Sequence, residues 1–181
     1  QFCVVTPEQN AVLAMTSGAQ NMQAILDAVW ATILPALADG VKVVAKRQRE
    51  LRRTLRSLKL EPPAFRDDAE AAAAIDGATW QLEANEANLR SIGFSFSRGK
   101  LVARLRGRRT TTYRCGAGKW APGKARMEDS PDRSSRPVRC AYRWIEGGEL
   151  EITIRAITTP FRRTLSCRFA HDSVEVRVAQ N

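Results

Sequence analysis

The residues of this chain best placed to do covalent chemistry together are a serine and a lysine in the segment Ser97-Arg98-Gly99-Lys100. At this spacing a lysine amine can take the proton of a serine hydroxyl as it attacks an acyl carbonyl. Such a serine must open a buried helix and face an oxyanion hole, whereas these residues read as a tight hairpin turn. The match is read as fortuitous. His171 is the only histidine, and Ala170-His171-Asp172-Ser173 has the composition of a solvated turn rather than of a triad. Gly116-Ala117-Gly118-Lys119 lacks the spacing and the following helix of a phosphate-binding loop, and reads as a hairpin connection. Cys3, Cys115, Cys140 and Cys167 form no Cys-x-x-Cys pair, which argues against a zinc site. The last three fall in strand-like runs and read as buried free thiols. No catalytic residue, metal ligand or cofactor is expected.

Charge is the strongest compositional signal. The 181 residues carry 29 Lys and Arg against 19 Asp and Glu, a formal net charge of +10. The excess is concentrated. Lys42 to Lys59 holds eight basic residues and one acid, Glu50, and residues 87–127 contain no acid at all. Such patches favour polyanions without naming a function. The candidate anion-binding residues are Arg49, Arg52, Arg53 and Arg56 in the first run, and Arg104, Arg106, Arg108 and Arg109 in the second. Phe94, Phe96, Tyr113 or Trp120 could stack on bases beside the second run, as in single-strand binders. Phe94 and Phe96 share the parity of Ile92, however, which favours a core role. A nucleic-acid or other anionic partner is thus the alternative reading.

The elements that would position these residues follow from periodicity. Residues 1–18 read as a hairpin about Pro7-Glu8-Gln9-Asn10. Residues 19–38 read as a helix with Met22, Ile25, Leu26, Val29, Ile33 and Leu37 on one broad face. Residues 41–60 read as a basic helix with a stripe of Val44, Leu51, Leu55 and Leu58, stopped by Pro62-Pro63. A linker is expected over 61–76, with a short Ala-rich helical piece at Ala69 to Ala74. From Gly77 the period becomes two, and residues 77–181 predict about eight short antiparallel strands in sequence order, a meander or small barrel. Residues 121–136 read as a long surface loop. The fold class is therefore α+β. At 44% hydrophobic residues the chain can build a core, and no apolar run is long enough to span a membrane. A cytoplasmic location is expected.

Several segments resemble a known family. Phe2-Cys3-Val4-Val5-Thr6-Pro7-Glu8-Gln9 and the following Asn10 to Gly18 are similar to the last sheet hairpin of serine hydrolases related to class C β-lactamases. Met22 to Trp30 resembles the C-terminal helix that lies on that sheet. Tyr142-Arg143-Trp144, Glu149 to Arg155, and Thr159-Pro160-Phe161 leading to Leu165 to Phe169 resemble a β-rich C-terminal domain appended to some of these enzymes. The basic helix lies outside the family pattern. The resemblance implies acyl transfer on an ester, amide or β-lactam in the intact family, through a Ser-x-x-Lys, a Tyr-x-Asn and a Lys- or His-x-Gly. Neither Tyr113-Arg114-Cys115 nor Tyr142-Arg143-Trp144 supplies the Asn, so no catalytic residue carries over. The resemblance implies a non-catalytic accessory region, 1–60 closing a β-lactamase-like domain and 77–181 forming an all-β domain. Its catalytic residues would be encoded upstream of Gln1. The expected partner is that catalytic domain, or a second copy meeting it through residues 1–38, because an isolated hairpin is marginal in water. A third reading is a small barrel holding an apolar ligand, for which a cavity in the β region would speak.

Overall fold

Inward-facing apolar residues recur at alternate positions in the strands between Ser91 and Ala170, and they close a core that the sheet wraps around. The structure, a computed structural model, describes residues 2–19, 21–38, 44–126 and 134–180. The fold class is α+β. The chain divides into two compact units, Gln1–Leu60 and Glu61–Asn181.

In the first unit β1 (Phe2–Thr6) pairs antiparallel with β2 (Ala11–Met15). A 3-10 turn at Pro7–Gln9 joins them, and Asn10 takes the left-handed conformation at φ 48°. The helix then starts at α1 (Met22–Ala28), capped by the Asn21 side chain, whose Oδ1 accepts from Ala24 N at 3.1 Å. It widens into a π turn over Val29–Ile33 and resumes as α2 (Leu34–Ala38). The widening has a local cause. Pro35 has no N–H and its ring would crowd the preceding turn of a regular helix, so the backbone shifts to the wider pattern just before it. A basic helix, α3 (Ala45–Ser57), follows. It is shorter than the 41–60 expected. Residues 41–43 lie outside the described residues, and Leu58 is already extended at ψ 123°. Ser57 donates its hydroxyl to Thr54 O at 2.8 Å, a local bond that competes with helix continuation.

The second unit opens with residues expected to be a linker, but they pack on the sheet. Phe65 meets Tyr142 edge-on at 5.6 Å between ring centroids, and Trp144 N donates to Arg66 O. The Ala-rich piece is α4 (Ala69–Ile75), capped by Asp68, and it buries Ile75.

The sheet contains β3 (Thr79–Gln81), β4 (Ser91–Ser97), β5 (Lys100–Arg106), β6 (Thr110–Ala117), β7 (Ala121–Arg126), β8 (Ser135–Ile145), β9 (Glu149–Ala156), β10 (Arg162–Ala170) and β11 (Ser173–Gln180). Its order is β11-β10-β9-β8-β6-β5-β4-β3, with β7 paired beside β8, and it curls into a nearly closed barrel. Two expectations change here. The path is not a simple meander, because β6 and β8 pair in parallel through Gly116↔Ala141 and Ala117↔Tyr142. The expected loop 121–136 is in its described part strand: β7 pairs with Ser135 to Cys140 of β8, and residues 127–133 lie outside the described residues. Pro122 and Gly123 suggested a loop, but a strand hydrogen-bonded on one side tolerates a residue that lacks a donor. The core holds Ile92, Leu101, Leu150, Ile152, Ile154 and Leu165, each fully out of water. Each such side chain contributes about 1.5–3 kcal/mol on burial.

Candidate functional site: the open seam of the barrel

The two ends of the sheet are unequal, and that inequality makes a cleft. β3 has 3 residues and β11 has 8, and no ladder joins them among the described residues. Where the edges meet, aromatic rings replace backbone bonds. Trp80 on β3 lies 5.3 Å from Phe169 on β10, and both touch Phe94, at 5.9 and 5.7 Å. Such tilted and edge-on pairs suit the ring quadrupoles.

Beyond Gln81 the chain leaves the sheet as a loop that returns at Arg90, tied by Leu82 N to Arg90 O at 2.8 Å. The Asn85 carboxamide organises this loop. Its Nδ2 donates to Glu83 O and to Leu89 O, and its Oδ1 accepts from Leu89 N. Asn88 sits at φ 51°, and its carbonyl comes so close to Gly107 that a Cβ there would meet it at 2.8 Å. The loop is thus a built wall rather than a loose connection.

Between this wall and β11 lies a cleft of about 1060 Å³. Trp80, Leu82 and Leu89 form one side, and Val174, Val176 and Val178 form the other. Leu105 and Leu165 lie at its base, and so does Arg163, which is only 7% exposed. Glu83, Glu86 and Asp172 are exposed at its rim. Arg163 was absent from the candidate residues. The signal for it was available: the inward parity of Leu165, Cys167 and Phe169, continued back one step, reaches Arg163.

The candidate anion-binding residues fall into two groups. Arg49, Arg52, Arg53 and Arg56 occupy one exposed face of α3, and Leu51 and Leu55 occupy the opposite face, also exposed, as is Leu58 just past the helix end. Arg104 and Arg106 point outward from β5, with Arg108 and Arg109 in the turn that follows. Of the aromatic partners they would need, Phe94, Phe96 and Tyr113 turn into the core, and Trp120 is half-buried. Phe94 and Tyr113 are each 2% exposed, and Phe96 stacks on Trp144. A base-stacking platform beside these arginines is therefore excluded for Phe94 and Tyr113. A different cationic group stands out on the outer face of β8–β10. Arg139 is in register with Arg155, and Arg155 with Arg162, so three arginines lie side by side across three strands. The Arg155 Nε is buried without a hydrogen-bond partner.

The remaining sequence candidates are structural. Ser97 and Lys100 are cross-strand neighbours at the end of the β4–β5 hairpin. Arg98 and Gly99 between them both have positive φ, 47° and 70°, as a two-residue primed turn requires. His171 lies in the β10–β11 turn, fully in solvent, with Nδ1 2.9 Å from Asp172 Oδ1. Gly116 and Ala117 end β6, and Gly118 at φ 58° backs onto Phe65 in the connection to β7; this is not the expected hairpin, because β7 pairs with β8 and not with β6. Cys115, Cys140 and Cys167 are buried free thiols, and Cys3 is exposed. Burial, with the Glu149 charge second, pushes the Cys167 thiol up to about 12. Among the described residues no cluster of His, Cys, Asp and Glu could hold a metal ion, and no helix is long and apolar enough to cross a membrane. Comparison with protein-family models and with curated proteins found no match for this chain.

Proposed function

We propose that this chain is a non-catalytic accessory region of a β-lactamase-related serine hydrolase, which docks through its hairpin and carries a β-barrel module. The observation that carries the reading is the hairpin's second face. One face, with Val4, Thr6 and Leu13, lines a small apolar cavity together with Val29, Ile33 and Leu37 of the helical segment. The other face presents Cys3, Val5, Val12 and Ala14, of which Val5 is 60% and Val12 68% exposed. Val5 and Val12 are direct cross-strand partners, so they form one apolar patch. A two-stranded sheet with a helix on one side and valines on the other is the composition of a sheet edge that other strands or layers cover. The sequence resemblance of residues 2–30 to the closing hairpin and helix of the hydrolases supports the same assignment.

Light scattering on the full chain tests this. Association that grows with concentration, and that the double substitution Val5→Lys, Val12→Lys abolishes, is the expected result. A monodisperse monomer over the whole concentration range would refute docking through this face. Turnover of a chromogenic ester or cephalosporin that Ser97→Ala removes would refute the non-catalytic assignment.

A second reading, an anion-binding module, is favoured by the row Arg139, Arg155 and Arg162. Like charges directly opposite each other on a sheet are unfavourable. Elsewhere on that face the charges are matched, Arg143 with Glu151 at 2.7 Å and Arg168 with Glu149 at 2.6 Å. An oxyanion bound across the row would sit opposite three guanidinium groups in register.

A further inference from the structure

We propose that the seam cleft of the barrel binds a single-chain aliphatic carboxylate, its chain along the valines of β11 and its head at Arg163. The inference is independent of the hairpin and of the hydrolase resemblance, since it uses only residues of the second unit. Four observations carry it.

The first is the size and lining of the cleft. At about 1060 Å³ it matches the largest small-molecule sites, which run to ~1,000 Å³, and its lining is mixed, with polar groups such as Gln81, Asp172 and Gln180 beside the apolar strip. The second is its shape. Val174, Val176 and Val178 alternate along one strand, so they make a strip rather than a round pocket, and Leu82 and Leu89 face it from the loop. A strip of this kind matches an extended alkyl chain, each buried CH₂ of which contributes about 0.8 kcal/mol. The third is the wall itself. The Asn85 bonds hold the loop in place before any ligand arrives, so little ordering is needed on binding.

The fourth is the placement of charge. Arg163 is a buried guanidinium on the inward face of β10, at the base of the cleft. A guanidinium offers five donors, enough to serve a neighbour within the protein and a carboxylate together. Away from water its attraction for an anion is less attenuated than the repulsion from carboxylates in solvent. Glu83, Glu86 and Asp172 at the rim are such solvated carboxylates. They act against a ligand of high negative charge, which selects a monoanionic carboxylate over a dianionic phosphate.

The test is displacement of a neutral apolar dye, Nile red, from the full chain by dodecanoate, dodecanol, dodecyl phosphate and dodecyltrimethylammonium, all below their micelle concentrations. Dodecanoate is expected to displace the dye at a concentration about tenfold lower than dodecanol, the scale of a hydrogen bond to a charged group. Arg163→Met should bring the two to the same concentration, whereas Arg163→Lys should keep the order. Should Arg163→Met not fold, Val178→Trp provides the second arm: it fills the cleft from a half-exposed position and should weaken dodecanoate and dodecanol alike. Equal displacement by acid and alcohol in the unsubstituted chain would overturn the assignment of the head group. So would preference for the phosphate or the ammonium ligand. Displacement unaffected by Val178→Trp would overturn the site, because the exposed hairpin or α3 would then be the binding surface.

Discussion

The hairpin β1–β2 and the barrel wall β8–β10 are both antiparallel and both two-faced, yet only the wall is finished for water. On the wall, Ile152, Ile154, Leu165 and Cys167 point in and are buried, while Glu149, Glu151, Arg143 and Arg168 point out and pair. On the hairpin, both alternating sets are apolar, and the outward set remains exposed. The same period of two therefore means different things in the two places. In the wall it separates inside from outside. In the hairpin it separates a face covered by this chain's helix from a face that nothing among the described residues covers. A strand's alternation records what its residues pack against, and a face apolar where it should be polar is information about a neighbour.

The contrast is broken most severely from inside the wall. Ile152→Ala removes a fully buried side chain and should cost about 2–5 kcal/mol, whereas Val12→Ala on the open face of the hairpin should stay within about 0.5 kcal/mol. Urea unfolding followed by tryptophan fluorescence reads mainly the barrel, since Trp80, Trp120 and Trp144 lie in that unit and Trp30 in the other. Equal losses from the two substitutions would mean that the hairpin face is buried in solution.

Each region also carries cysteines that sharpen the same contrast. Cys3 on the hairpin is exposed and Cys167 in the wall is buried. The folded chain holds the Cys167 thiol at about 12, against an ordinary value of 9.0, and Cys115 is raised too, through its bond to Cys140 first and burial second. A group whose pKa is raised by folding binds its proton more tightly in the folded state. Its contribution is complete below pH 9, where both states are protonated, and is lost as pH climbs from 9 towards 12. Barrel stability should therefore fall through that window, and Cys167→Ala should flatten the fall. At pH 8 a thiol reagent should label Cys3 rapidly and the other three only in denaturant.

Much of the barrel was legible because its signals are local. The β4–β5 turn follows from Arg98-Gly99, and the inward set of β8 follows from Val138, Cys140, Tyr142 and Trp144. The parallel step from β6 to β8 was not legible, since which strands become neighbours is decided by closure of the whole sheet. Strand β7 was hidden by Pro122 and Gly123, whose propensities were overridden by pairing with β8. The seam cleft was hidden for a similar reason. It exists because β3 is too short to meet β11, a mismatch between segments about a hundred residues apart that no window of sequence contains. Arg163 alone could have been found, as a charge on the apolar side of an alternating run.

The smallest effect should come from the arginine row on the outer face of the wall. Arg155 stands in register between Arg139 and Arg162, with its Nε buried and unbonded. Removing the central charge of such a row relieves two like-charge neighbours, each worth about 0.2–1 kcal/mol, and Thr suits a strand's outer surface. Arg155→Thr should thus raise the unfolding midpoint slightly where most substitutions lower it. If the row is an oxyanion site, the same substitution should also weaken binding of a polyanion such as heparin or RNA and make its dependence on log salt shallower by about one charge. Arg104→Thr on the outer face of β5 serves as the control, because it removes an equal charge from outside the row. An unchanged salt slope in Arg155→Thr together with a reduced slope in Arg104→Thr would move the anion-binding surface from β8–β10 to β5–β6. A stability loss in Arg155→Thr would mean that the row is already balanced within the folded chain.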